Sequence, residues 1–134
     1  MPTNAAGPRM ILTILAVEDL ARAVEFYRTV FGWAARVETP VYVELDMADG
    51  RGLGLYQRDG YARNTGRPAQ RVGAGRVGGV ELYFHCDDLD ARIAALEGVG
   101  ATALSPLARR EWGDEAAYFS DPDGNVLVVA RPGS

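Results

Sequence analysis

Two strand-like segments each place tyrosine and carboxylate side chains on one face, and these are the residues through which the chain could do chemistry. In one segment Tyr42 and Glu44 alternate with aliphatic residues, and in the other Glu81, Tyr83 and His85 do so. Successive side chains of a strand point to opposite faces, so the polar set shares the face opposite an aliphatic one. The pattern predicts two polar faces that line one pocket.

Three roles are open to the two carboxylates of this predicted pocket, Glu44 and Glu81. They could form an acid–base pair, with one pKa raised by burial or by the neighbouring charge. They could anchor a cationic or hydroxylated ligand through charge-assisted hydrogen bonds. Each could also form an ion pair with an arginine, such as Arg109 or Arg110, and have no catalytic or ligand-binding role.

His85 is the single histidine of the chain. It falls on the same strand face as Glu81, four residues along, and the pattern favours a hydrogen-bonded histidine at the pocket rim over a metal ligand. Two carboxylates without an adjacent imidazole suit zinc or iron poorly, whereas magnesium or manganese could use them together with water. We therefore expect no metal cofactor. A divalent metal ion held by Glu44, Glu81 and His85 is the alternative.

Aromatic residues near these segments favour binding of a planar or extended small molecule, because aromatic walls with a few polar groups orient such ligands. The candidates for this wall are Tyr42, Tyr56, Tyr83, Trp112 and Tyr118.

Length and composition restrict the class of protein. The chain has 134 residues, a net charge of −4 and a pI near 4.9, which indicate one domain and argue against nucleic acid or an anionic membrane as partner. All basic residues are arginine, so no lysine can form a Schiff base. The single cysteine, Cys86, excludes an intrachain disulfide and, with no apolar leader at the N-terminus, predicts a cytoplasmic protein.

An internal repeat organises the chain. The segment VEDL at Val17–Leu20 recurs as CDDL at Cys86–Leu89, 69 residues later. Each copy follows a strand-like run and precedes a helical pattern in which an aspartate, Asp19 or Asp88, is the predicted N-cap. Shorter strand-like pieces follow each helix, so each half is predicted to be β-α-β-β-β. The predicted organisation is a disordered tail over 1–8 and a single domain over 9–134, divided into a first module (9–57), an arginine- and glycine-rich inter-module loop (58–76) and a second module (77–132).

The stretch Tyr118–Ala130, YFSDPDGNVLVVA, predicts a β-hairpin whose tight turn is DPDGN. Together with ILAVEDLARAVEFYRTVFGW and VELYFHCDDLDARIAALEGVGA, this stretch resembles the vicinal oxygen chelate superfamily over about residues 10 to 131. That superfamily contains glyoxalase I, extradiol dioxygenases and bleomycin-resistance proteins. The resemblance implies an α+β fold in which two β-α-β-β-β modules form a cup-shaped, partly open eight-stranded sheet, usually in a homodimer.

In the metal-using members of the superfamily, four side chains of the cup bind a divalent cation. The resemblance places these positions at Leu12, Glu44, Glu81 and Val128. Leucine and valine cannot bind a metal ion, so the resemblance is nearer to the metal-free binding members.

The leading hypothesis is therefore metal-independent binding of a small aromatic or amphipathic molecule, with sequestration of a toxic natural product and antibiotic resistance as the biological role. The alternative is an enzyme, either a glyoxalase-like or dioxygenase-like lyase or isomerase with a reduced set of metal ligands, or a metal-free acid–base catalyst that uses Glu44 and Glu81. The full predicted ligand-binding set is Leu12, Tyr42, Glu44, Tyr56, Glu81, Tyr83, His85, Trp112, Tyr118 and Val128.

Overall fold

A computed structural model describes residues 7–73 and 76–133. Most of the predicted disordered tail lies outside the described residues. The elements run in the order β1 (Leu12–Val17), α1 (Leu20–Phe31), β2 (Ala35–Glu38), β3 (Tyr42–Asp46), β4 (Gly52–Gln57), α2 (Arg58–Thr65), β5 (Glu81–His85), α3 (Leu89–Gly98), β6 (Thr102–Arg109), β7 (Glu115–Ser120) and β8 (Val126–Arg131).

The strands form two four-stranded mixed sheets with the same topology. Their strand orders are β1-β4-β3-β2 and β5-β8-β7-β6. In each sheet the first strand of the module pairs in parallel with the last, and the remaining pairs are antiparallel. This confirms the predicted α+β fold of two β-α-β-β-β modules, with the eight strands divided between two hydrogen-bonded sheets.

The two long helices begin at equivalent aspartates that act in different ways. The carboxylate of Asp19 accepts a hydrogen bond from the Arg22 amide, as expected for an N-cap. Asp88 makes no such bond and its carboxylate lies 3.0 Å from the Arg92 guanidinium instead. The predicted capping bond is therefore present in α1 and absent from α3.

Both helices pack against the aliphatic faces of the sheets. Buried residues of α1, such as Tyr27 and Val30, share one core with Leu45 and Leu55 of the first sheet and with Leu127 of the second. Burial of apolar side chains is the main favourable term in folding, so this shared core joins the two modules. The alternation that the sequence predicted for β3 and β5 is confirmed, because the core contacts of those strands are made by Val43, Leu45, Leu82 and Phe84.

The turn of the last hairpin ties the second module to the first. Tyr27 donates a buried hydrogen bond of 2.5 Å to Asp121 Oδ2, and the Glu18 amide donates to Asp123 Oδ1 at 2.9 Å. Asp121 also accepts from the Asn125 amide within the turn. The DPDGN turn therefore holds the corner between β1 and α1 as well as reversing its own chain.

Part of the segment predicted as an inter-module loop is helical. Helix α2 carries mostly polar residues and starts where the Gln57 side chain accepts from the Asp59 amide. Arg58 is buried, donates to the Ala69 carbonyl and lies 3.7 Å from the Glu18 carboxylate. These contacts order the first part of the segment against the first module.

Candidate functional site

Each sheet has one face that does not pack against α1 or α3, and we call these two faces together the helix-free face; helix α2 adjoins it at Tyr56. In the first module it is formed by Leu12, Ile14, Ala16, Tyr42, Glu44, Gly52, Gly54 and Tyr56, and in the second by Glu81, Tyr83, His85, Ala116, Tyr118, Val126, Val128 and Ala130. The two parts meet where β1 approaches β5, because Leu12 and Glu81 line one cavity of about 180 Å³.

The parallel strand pairs of the two modules have the same register. Ile14 lies opposite Gly54, and Tyr83, which is 69 residues after Ile14, lies opposite Val128. Gly54 is therefore the first-module equivalent of Val128. The resemblance had placed that position at Glu44, and this assignment is wrong because Glu44 belongs to β3 and lies one strand away, opposite Gly54.

The corrected positions for a metal ion are Leu12, Gly54, Glu81 and Val128, and only Glu81 offers a side-chain ligand. No cluster of three or more histidine, cysteine, aspartate or glutamate residues with metal-binding geometry occurs among residues 7–73 and 76–133. The alternative ligand set of Glu44, Glu81 and His85 is thus not brought together. Glu81 alone does not fit zinc or iron, which need three or four protein ligands, and it is one carboxylate fewer than the pair that could hold magnesium or manganese together with water.

Glu44 is held by two neighbours on the helix-free face. Its carboxylate lies 2.7 Å from Arg36 Nε and accepts from the Tyr42 hydroxyl at 2.6 Å. The Tyr42 hydrogen bond, followed by the hydrogen bond and charge of Arg36, lowers the pKa of Glu44, while burial and Glu44 raise the pKa of Tyr42. The sequence suggested Arg109 or Arg110 as the partner of Glu44, and the structure places Arg36 there.

Two glycines of β4 make room for this group. A Cβ atom on Gly54 would lie 2.5 Å from the Tyr42 hydroxyl and 3.0 Å from the Ile14 side chain, and a Cβ on Gly52 would meet the Arg36 guanidinium. Such distances are far below van der Waals contact, so no side chain fits here without movement of the group. The alternation of glycine with leucine in GLGL was the sequence signal for this close approach.

A ladder of tyrosine rings leads from Tyr42 to helix α2. The ring of Tyr56 lies 5.2 Å from that of Tyr42 and 6.0 Å from that of Tyr61, both edge to face. Asn64 donates a hydrogen bond to the Tyr56 hydroxyl at 3.1 Å. Helix α2 therefore extends the aromatic wall with residues that the predicted site did not include.

In the second module, Asp114 contacts two of the predicted residues, Tyr83 and His85, and a third, Trp112, contacts Tyr83. Its Oδ2 accepts from the Tyr83 hydroxyl at 2.6 Å and lies 2.8 Å from His85 Nε2. Trp112 Nε1 donates to the same Tyr83 hydroxyl at 2.8 Å. The connection between β6 and β7 thus folds over β5, and Asp114, which the sequence analysis missed, positions the aromatic and imidazole rings.

Hydrogen bonding sets the charge state of this group. The donors Tyr83 and His85 lower the pKa of Asp114, so that carboxylate is ionised near neutral pH. The pKa of Tyr83 is raised by burial and by its bond to Asp114, so the phenol stays protonated. Asp114 is therefore a charged acceptor that fixes two neighbouring donors.

Arg110 and Val128 have supporting positions. The Arg110 guanidinium lies 4.9 Å from the centre of the Tyr118 ring and donates to the Ala116 carbonyl and the Ser105 hydroxyl. Val128 is fully buried beneath this layer. Tyr118 is partly covered by Arg110, so Val128 supports the wall and does not itself contact solvent.

One further cavity reaches the helix-free face, whereas two others lie apart from it. One of about 370 Å³ runs along the far end of β1 and includes Ile14, Ala16 and Tyr61. Two larger ones, of about 630 and 580 Å³, flank α1 on the helix side. We place the candidate site on the helix-free face because the exposed rings and the paired polar groups converge there.

The family model for the Glyoxalase/Bleomycin resistance protein/Dioxygenase superfamily matches residues 9–129. The uncharacterised protein YraH from Bacillus subtilis (strain 168) is 26% identical over 120 residues, which cover 87% of this chain and 93% of YraH. In the two described segments, no helix is both long and apolar enough to cross a membrane.

Solved structures with the same fold include a glyoxalase-related enzyme from Fulvimarina pelagi and a lactoylglutathione lyase from Agrobacterium tumefaciens. The first has a TM-score of 0.80 and 22% identity, and the match covers 92% of this chain and 87% of that one. The second has a TM-score of 0.70 and 27% identity, and the match covers 93% of this chain and 94% of that one.

Proposed function

The chain belongs to the Glyoxalase/Bleomycin resistance protein/Dioxygenase superfamily, and we propose that within it the protein binds a small aromatic or amphipathic molecule without a metal ion. Such binding suggests a biological role in sequestering a toxic natural product, as the name of the bleomycin-resistance members indicates for them.

One observation carries the proposal. At the four equivalent positions of the two modules, Leu12, Gly54 and Val128 offer no metal ligand, and only Glu81 does. Chemistry that depends on a bound cation needs a complete set of ligands, whereas binding of an organic molecule needs shape and a few polar groups. The residues at these positions do not meet the first requirement, and the aromatic and polar side chains around them suit the second.

The exposed rings of the second module give further support. Trp112 is 55% exposed and Tyr83 is 38% exposed, although both are large and partly apolar. Hydrogen bonds hold both side chains in place, so a ligand ring that packs against them loses little additional conformational freedom. Rigid, exposed aromatic residues of this kind are typical anchors of binding sites.

The test is a ligand screen followed by tryptophan fluorescence. The chain has two tryptophans, and Trp33 is stacked on Phe31 at 4.5 Å on the helix side. In a Trp33→Phe variant, Trp112 is the only reporter, so quenching reports directly on the helix-free face. Saturable quenching without chemical change of the compound supports the proposal, and a screen of aromatic natural products without any saturable response would contradict it.

An enzyme is the second candidate, and the likeness to the lactoylglutathione lyase favours it. Glu81 is the residue that such an activity would use, because it lies in the cavity between the modules and, within the described part of the chain, makes no ion pair. Glu44 is a poor base because its pKa is lowered by Tyr42 and Arg36. Formation of S-lactoylglutathione from methylglyoxal and glutathione that is lost in Glu81→Gln and retained in the control Glu97→Gln on α3 would favour the enzyme.

A further inference from the structure

Asp114 contacts one ring nitrogen of His85 and leaves the other available. Its Oδ2 lies 2.8 Å from His85 Nε2, and no hydrogen bond to Nδ1 occurs among the residues described. The His85 side chain is 53% exposed, while that of Asp114 is 16% exposed. A ligand on the helix-free face can therefore reach the imidazole and not the carboxylate behind it.

The charge of Asp114 decides which nitrogen carries the hydrogen. An ionised carboxylate only accepts hydrogen bonds, so both the Tyr83 hydroxyl and His85 Nε2 donate to it. In the neutral imidazole, Nδ1 is then the acceptor. The site thus offers a ligand a fixed hydrogen-bond acceptor.

Aromatic side chains surround this acceptor. The centre of the Tyr83 ring lies 5.9 Å from that of His85 and 6.4 Å from that of Trp112. A flat ligand that packs against these rings would bring a ring substituent close to His85. An ionised acid would meet the lone pair of Nδ1 and the charge of Asp114, so a neutral hydroxyl is the better partner.

We propose that this site recognises aromatic alcohols, that is, phenols and naphthols, which pack against Trp112 and Tyr83 and donate their hydroxyl to His85 Nδ1. This inference rests on the proposed binding function and adds to it the class of ligand. Asp114 acts as a positioning residue, because it sets the tautomer and does not contact the ligand.

The experiment compares 2-naphthol with 2-methoxynaphthalene, which has the same rings and no hydroxyl donor. Isothermal titration calorimetry of the unmutated protein should give about tenfold tighter binding of 2-naphthol, the value of one hydrogen bond to an otherwise available acceptor. In His85→Phe the two probes should bind equally, with the affinity of the methoxy compound retained. In Trp33→Phe, on the helix side, the preference should be unchanged.

The tautomer gives a measurement that needs no variant. Nitrogen-15 chemical shifts of His85, the only histidine, should show hydrogen on Nε2 in the unmutated protein and a mixture of tautomers in Asp114→Asn, because an amide can donate to Nε2. Hydrogen on Nδ1 in the unmutated protein would overturn the inference.

The outcomes separate the inference from the proposed function. Equal binding of both probes, or a naphthol preference that survives in His85→Phe, would overturn the recognition of aromatic alcohols and leave aromatic binding intact. If neither probe binds, both the recognition of aromatic alcohols and the proposed binding function are overturned.

Discussion

Gly54 and Val128 occupy equivalent positions on the closing strands of the two modules. Gly54 lies opposite Ile14 of β1, and Val128 lies opposite Tyr83 of β5, which follows Ile14 by the repeat interval of 69 residues. A metal-using protein of this fold would need ligands at such positions, and neither glycine nor valine has one. The helix-free face is instead filled by hydrogen-bonded aromatic and charged side chains of the chain itself.

Substitution of Gly54 by alanine should destabilise the protein. The added methyl group would lie 2.5 Å from the Tyr42 hydroxyl and 3.0 Å from Ile14, and the Tyr42 hydroxyl is held by its hydrogen bond to Glu44. We expect a loss of about 1–3 kcal/mol in the free energy of unfolding, measured by urea denaturation. Gly79→Ala is the control, because a Cβ on Gly79 meets no atom within 4 Å. Equal stability of the two variants would contradict the close approach at β4.

Removal of the Tyr27 hydroxyl should weaken the contact between the modules. Tyr27→Phe leaves the ring in the core and deletes the bond to Asp121, so we expect a loss of about 1–2 kcal/mol by thermal or urea unfolding. Tyr61→Phe deletes a hydroxyl that makes no side-chain hydrogen bond within residues 7–73 and 76–133, and it should change stability by less than about 0.5 kcal/mol. A similar effect of both substitutions would argue against a structural role of the DPDGN turn.

Glu44→Gln should reduce stability in a pH-dependent manner. The pKa of Glu44 is lowered in the folded state, so its contribution is present above the ordinary value of 4.5 and is lost as the pH falls through the folded pKa. We expect the variant to be less stable by about 1 kcal/mol near neutral pH, because its carboxylate is a charged acceptor for Arg36 and Tyr42.

The difference between the unmutated protein and Glu44→Gln should shrink below the ordinary pKa of the carboxyl group. Denaturant titrations at several pH values measure this difference. Glu38→Gln on the exposed strand β2 is the matched control, because Glu38 makes no side-chain hydrogen bond or ion pair within residues 7–73 and 76–133. A difference that stays constant into strongly acidic solution would contradict the lowered pKa.

Trp112→Ala should affect binding far more than folding. The side chain is 55% exposed, so little core packing is lost, and we expect a change in stability below about 1 kcal/mol. The affinity for aromatic probes, measured by calorimetry, should fall by about tenfold or more because an anchoring ring is removed. Unchanged affinity in both Trp112→Ala and Leu12→Ala would place the binding site elsewhere on the molecule.

The repeat and the alternation of side chains were enough to predict the two modules and the face on which the polar residues lie. Those signals depend on local periodicity, which the folded chain preserves in β3 and β5. Helix α2 was not predicted because its sequence, RDGYARNT, has no apolar period and contains a glycine. It is held by contacts such as the one between Arg58 and Glu18, which are distant in the sequence.

The partners of the candidate site residues could not be predicted for the same reason. Asp114 reaches Tyr83 across 31 positions and His85 across 29, and nothing in the intervening sequence indicates the pairing. The assignment of Glu44 as the equivalent of Val128 failed because the order of strands in the sheet, and not their order along the chain, determines which residues are equivalent.

Metal content and metal affinity test the central claim most directly. The protein, purified without chelator or histidine tag, would be analysed by elemental mass spectrometry and then titrated calorimetrically with nickel, zinc, manganese, iron(II) and magnesium. The set of Leu12, Gly54, Glu81 and Val128 predicts no stoichiometric metal and no binding near the micromolar range. One metal ion per chain, lost in Glu81→Gln, would contradict the account and identify the protein as a metal-dependent member of its family.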